Sequence, residues 1–129
     1  MPQVIVDTSV WVRSFRVRDS AEKREMERLI QNHDVIMVGV VYAELLRGAR
    51  DERELRTLEE TLGDLPFLDT NKETWRRTGS LLLDLRRRGL IIPLADAVIA
   101  TQALEGDHQL YTLDDHFRRV PGLRLYEAS

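Results

Sequence analysis

The chain has 129 residues, is 43% apolar and 32% charged, contains no cysteine and carries a formal net charge of −3 at pH 7. A chain of that length suits one domain that buries roughly two-thirds of its unfolded surface, and residues 1–129 read as a single unit. Without thiols there are no disulfides, cysteine nucleophiles or Cys-based zinc sites, which fits a reducing cytoplasm, and the mild acidity argues against a general grip on long duplex. No apolar run approaches the ~20 residues needed to cross a bilayer, and no charged segment leading into an apolar one opens the chain.

The pattern alternates short apolar runs with amphipathic stretches of helical length. Residues 4–6 (VIV) read as a buried strand that runs into Asp7, and residues 9–15 as a helix. After a loop at 16–20 (RVRDS) come a helix over 21–31 and a second strand over 34–38 (DVIMV). Helices over 41–50 and 52–62 follow, then a short strand at Phe67 and Leu68. A long helix covers 71–88, opened by a capping box of Thr70 with Glu73 and closed by Arg86, Arg87, Arg88 and Gly89. A helix over 94–104, a strand over 109–113 (QLYTL) and an edge strand over 123–126 complete the chain. Strands separated by helices predict βαβ crossovers, hence a three-layer α/β domain whose mostly parallel sheet of four to five strands has helices on both faces.

That topology gives the acids their meaning. Ligands of an open parallel sheet sit beyond the carboxyl ends of its strands. Asp7 follows the first strand, and Asp114 and Asp115 follow the fourth in LYTLDDHF. Glu44 lies early in the helix after the second strand, and Asp96 lies in the first turn of the helix PLADAVIATQAL. Each has an ordinary explanation by itself: Asp96 complements a helix dipole, Glu44 belongs to a solvated face, and Asp114 or Asp115 caps a turn. Together they place four carboxylates at one end of the sheet. Like charges in a cleft repel unless a cation neutralises them, and the only lysines, Lys23 and Lys72, lie outside these motifs. Oxygen-only donors suit Mg²⁺ or Mn²⁺, and an ion so held can activate a water and stabilise charge on a phosphoryl group. The acids therefore point to metal-dependent phosphodiester hydrolysis.

VDTSVW with Asp7, YAELLRG with Glu44, the segment Asp96-Ala97-Val98-Ile99-Ala100, and TLDDHF (112–117) together resemble a PIN domain, most closely the VapC-type toxins of toxin–antitoxin pairs. The resemblance spans essentially the whole chain, with the motifs in order. It implies a Mg²⁺- or Mn²⁺-dependent endoribonuclease acting on RNA, inhibited by a VapB-like antitoxin and assembled as a homodimer. It makes Asp7 and Asp96 metal ligands, has Glu44 orient the metal or its water, and has Asp114 complete the site. Thr8 or Ser9, and Thr112, match positions whose hydroxyls hydrogen-bond the acids. Asp115 is a second candidate for the fourth acid, although the Thr-x-Asp spacing favours Asp114. Thr101 and Gln102 are bulkier than the residues many relatives carry there, which reads as packing, with a substrate contact for Gln102 as the alternative.

Other chemistries find little support. His33, His108 and His116 include no pair at i and i+4, so a histidine zinc site is not indicated, and His116 reads as a capping or surface residue in preference to a phosphate contact. Ser9 lacks the glycines of a nucleophile elbow. Trp11 and Phe15, at i and i+4, and Tyr42 read as core or dimer contacts. Arg13, Arg16, Arg18, Arg47 and Arg50 could meet RNA phosphates or simply pair with Glu on a solvated face. A receiver-like signalling domain would need a Lys near the end of the fold, and a phosphatase of the Asp-x-Asp type would need an acid at Ser9. A PIN fold kept only for binding is the remaining alternative.

Overall fold

The computed structural model describes residues 3–128. Its elements run β1 (Val4–Val6), α1 (Thr8–Arg16), α2 (Ala21–Gln31), β2 (Val35–Val38), α3 (Gly39–Arg47), α4 (Glu52–Leu62), β3 (Phe67–Leu68), α5 (Lys72–Arg87), α6 (Leu94–Glu105) and β4 (Gln109–Tyr111). A short 3₁₀ helix (Asp115–Arg119) follows. The sheet has the order β3-β2-β1-β4, and every pairing is parallel.

Burial explains the strand pattern. Every residue of β1 and β2 is buried, as expected for strands covered on both faces. β1 lies between β2, in register Val4 to Val35, and β4, in register Val4 to Gln109. The chain thus builds outward from β1 in one direction, through β2 and β3, and returns to its other edge for β4. This reversal makes the carboxyl ends of β1 and β4 the switch point where an open α/β sheet forms its crevice.

α6 reaches the core almost entirely. Its residues Ala97 to Ala103 are all buried, including Thr101 and Gln102. Thr101 donates back to the Ala97 carbonyl at 2.8 Å, and Gln102 Nε2 donates to the Leu68 carbonyl at 3.3 Å. Both contacts belong to packing. Trp11 is buried with its ring centroid 5.9 Å from that of half-exposed Phe15, and Tyr42 meets Phe67 edge-on.

Several expected boundaries move for local reasons. The long helix is capped one residue later than the sequence suggests: Asn71 accepts from the Thr74 N–H at 3.0 Å and Thr74 Oγ1 accepts from the Asn71 N–H. Asn is at least as good a cap as Thr, and Glu73 is drawn to Arg76 and Arg77 instead. Its other end follows expectation, with Gly89 at φ +80 and the Leu90 N–H donating to the Leu85 carbonyl. The fourth strand stops at Tyr111, because Thr112 Oγ1 accepts from the Asp114 N–H at 3.0 Å and turns the chain. The helix expected over 41–50 runs instead from Gly39 to Arg47. The edge strand expected over 123–126 shrinks to one bridge, Leu125 with Leu110, directly after the left-handed Gly122. No helix among the described residues is long and apolar enough to cross a membrane.

Candidate active site

Asp7 occupies the junction of β1 and α1. Its backbone carbonyl accepts from the N–H groups of Val10 and Trp11, so the main chain starts the helix while the carboxylate makes no capping bond. The side chain is buried and accepts at Oδ2 from Ser9 Oγ at 2.7 Å and Thr112 Oγ1 at 2.9 Å. Both hydroxyls use the same oxygen, which leaves Oδ1 without a hydroxyl partner among the described residues. Ser9 Oγ also accepts from the Leu113 N–H at 3.2 Å, so two hydroxyls stitch the start of α1 to the end of β4.

Thr8 fastens the next acid, donating to Glu44 Oε1 at 2.8 Å. Glu44 sits on the second turn of α3 and lines a groove of ≈ 600 Å³ that Phe15, Arg16 and Arg50 also border. Of the arginines near the first two motifs, Arg13 pairs with Glu22 and Arg50 with Glu54.

Asp96 and Asp114 meet through His116. The imidazole Nε2 lies 2.5 Å from Asp96 Oδ2 and Nδ1 lies 2.7 Å from Asp114 Oδ1. Each ring nitrogen thus faces a carboxylate oxygen from a different element. Burial, opposed by the His116 contact but reinforced by the charges of Asp7 and Asp114, holds the Asp96 carboxyl above its ordinary range. Burial is the main cause, and the neighbouring carboxylates add to it. Among the described residues no Lys or Arg pairs with Asp7, Glu44, Asp96 or Asp114; His116 is the only basic group recorded against them.

The helix starts are arranged to the same effect. α2, α4 and α5 begin with side-chain caps at Ser20, Asp51 and Asn71. α1, α3 and α6, which carry or adjoin the acids, begin at Asp7, Val38 and Pro93 with no side-chain cap. Their positive ends remain available to the acidic cleft.

The donors fit a hard divalent ion: Asp96 and Asp114 converge with His116, no thiolate is present, and hydroxyls orient the nearby carboxylates of Asp7 and Glu44. The structure brings Asp96, Asp114 and His116 together tightly, keeps Asp7 close enough for its charge to act on Asp96, and ties Glu44 in through Thr8. Asp115 is turned away, its side chain 95% exposed with Arg118 at 3.5 Å. On sequence grounds His116 reads as a capping or surface residue, whereas the structure sets both its ring nitrogens against the acids. Its signal was the Asp114-x-His116 spacing, which is informative only once residues 115–119 are known to form a tight 3₁₀ turn.

Comparison with known proteins bears on the family and the fold. The profile described as PIN domain matches residues 4–123. Ribonuclease VapC11 of Mycobacterium tuberculosis is 28% identical over 130 residues, covering 98% of this chain and 97% of its own. VapBC2 from Rickettsia felis, solved in a crystal bound to a DNA fragment from their promoter, superposes with a TM-score of 0.81 at 26% identity, over 95% of this chain and 96% of that one. DNA-bound VapBC from Salmonella typhimurium gives a TM-score of 0.84 over both full chains, and at 24% identity it speaks to the fold.

Proposed function

The chain belongs to the PIN domain family, and on that premise we propose that it is a metal-dependent endoribonuclease, the toxin of a toxin–antitoxin pair. The observation that carries this reading is the meeting of Asp96 and Asp114 beside Asp7: acids from distant parts of the chain, at the switch point of the sheet, with no Lys or Arg to balance them. The likeness to chains named VapC ribonucleases supports RNA as the substrate.

Bound among these acids, Mg²⁺ or Mn²⁺ supplies Lewis acidity toward a phosphoryl oxygen and lowers the pKa of a water. Asp7 and Asp96 would hold the ion, and Asp114 would complete the set. Glu44, fixed by Thr8, would orient the metal or its water. Ser9 and Thr112 occupy one oxygen of Asp7 and so present the other. The uncapped starts of α1, α3 and α6 favour an anionic backbone in the cleft.

The solved neighbours are toxin–antitoxin complexes, which supports a VapB-like antitoxin as partner. A homodimer is supported by the exposed apolar side chains Leu83 and Ile91, which line a shallow groove between α5 and the chain leading to α6. We take residues 1–129 as one domain acting in the cytoplasm.

The test is cleavage of a cellular RNA pool by the purified protein with Mg²⁺ or Mn²⁺, with EDTA, and with Asp7→Asn. Cutting that stops with EDTA and with Asp7→Asn is the expected result. Cutting that survives both removes the acidic site from the reaction.

A further inference from the structure

We propose that His116 is a nitrogen ligand of the metal site and tilts it toward Mn²⁺ over Mg²⁺; the proposal rests on the metal-dependent reading above. The imidazole stands between acids of two different elements, Asp96 in the first turn of α6 and Asp114 at the head of the 3₁₀ helix. One ligating atom from each of the three residues lies within 4.8 Å of the others. Two ligands on opposite sides of an ion with bonds of roughly 2.1 Å are ~4.2 Å apart, so a single ion can span such a set.

The ring is held in place rather than merely passing near the acids. Its backbone N–H donates to Asp114 Oδ1 at 3.4 Å, and its ring packs 5.3 Å from Phe117, which is fully buried. A side chain present only to cap the turn would use one polar atom; here both ring nitrogens face the acids. Coordination needs one nitrogen lone pair, so one ring nitrogen would turn from its carboxylate contact to the ion while the other keeps its own. Mg²⁺ prefers oxygen donors and sheds water reluctantly, whereas first-row transition ions accept imidazole alongside carboxylate. A mixed nitrogen–oxygen set therefore discriminates between two ions that carboxylates alone would treat alike.

The test is calorimetric titration of the metal-free, full-length protein with Mn²⁺ and, separately, with Mg²⁺, together with the visible absorption of its Co²⁺ complex. Wild type is compared with His116→Ala, His116→Gln and Asp7→Asn, each checked for folding by circular dichroism. The expected result is that both His116 variants lose about tenfold or more in Mn²⁺ affinity, lose little for Mg²⁺, and shift the Co²⁺ bands. Glutamine can still bridge the acids by hydrogen bonds but offers no imidazole nitrogen, so a structural strap would be rescued by it. Wild-type or tighter Mn²⁺ binding by either variant, or equal loss of both ions, overturns the proposal. Wild-type Mn²⁺ binding by the His116 variants with binding lost in Asp7→Asn leaves the acidic site standing without His116. Failure of the wild type to bind either ion overturns the metal reading itself.

Discussion

Glu25 and Asp96 are both carboxylates withdrawn from water, and the protein treats them in opposite ways. Glu25, on α2, is buried, which by itself raises its pKa. Tyr126 donates to its Oε1 at 2.6 Å, and Arg28 donates to the same oxygen, and together they hold the Glu25 carboxyl below its ordinary range. Arg28 also donates to Tyr126 Oη, closing a three-way clasp that fixes the last part of the chain to α2. Among the described residues Asp96 pairs with no arginine, and burial, against the lowering contact of His116 and with the charges of Asp7 and Asp114, pushes its carboxyl the other way. A carboxylate that serves the fold comes with its cation built in. Asp96, a metal ligand on the reading proposed above, has no guanidinium beside it, and a metal ion would supply the missing positive charge.

The sharpest way to break this contrast is Asp96→Asn. Removing it should lower RNA cleavage by ~10²-fold or more, the scale of losing a fixed group that stabilises developing charge. The same change should stabilise the metal-free protein by about 1 kcal/mol, read by urea unfolding, because it removes a repelled charge. The sign follows from the raised carboxyl: a group that binds its proton more tightly when folded costs stability once pH exceeds its unfolded value. A loss of stability at neutral pH would show that the Asp96–His116 contact outweighs the repulsion.

Glu25→Ala should do the reverse, leaving cleavage intact while costing about 2 kcal/mol, with Arg28 half-exposed and Tyr126 Oη deprived of its acceptor. Thermal and urea unfolding would measure it, and an unchanged midpoint would reduce the clasp to a surface pairing. Tyr126→Phe is the smaller version, about 1 kcal/mol, and its signature is in alkali. Burial and the bond to Glu25 push the Tyr126 hydroxyl from 10.0 up to about 12. A raised folded value means stability that is complete below the unfolded pKa and lost as pH climbs through the folded one, here between pH 10 and 12. The phenylalanine variant should lack most of that loss. Asp115→Asn should change nothing in cleavage or unfolding, since the side chain faces solvent beside Arg118; a fall in cleavage would bring Asp115 into the site.

The elements that the sequence announced are those whose physics is local. β1 and β2 are unbroken apolar runs because both their faces are covered, and α2 and α4 fall where the apolar spacing and the caps at Ser20 and Asp51 place them. Asp7, Glu44, Asp96 and Asp114 stood out because each follows a strand or opens a helix at the same end of the sheet. What escaped notice depends on distant parts of the chain. The shortening of the last strand reflects Gly122 and the anchorage of Tyr126 to Glu25, residues 101 apart. His116 could not be placed without knowing that Asp96 would arrive opposite it from another helix. The cap at Asn71 was displaced by competition for Glu73 from Arg76 and Arg77.

The bond from Thr112 to Asp7 joins residues 105 apart in sequence. A ribosome makes β1 well before β4 and the acid that follows it. A partial chain can form β1 with β2 and α3, but it holds Asp7 without its threonine and Asp96 without Asp114. Domains fold while they are being synthesised, at ~5–20 residues per second, so an enzyme that cuts RNA is at risk of cutting the message or ribosome still attached to it. Dividing the site between the end of β1 and the segment after β4 defers assembly until both have emerged.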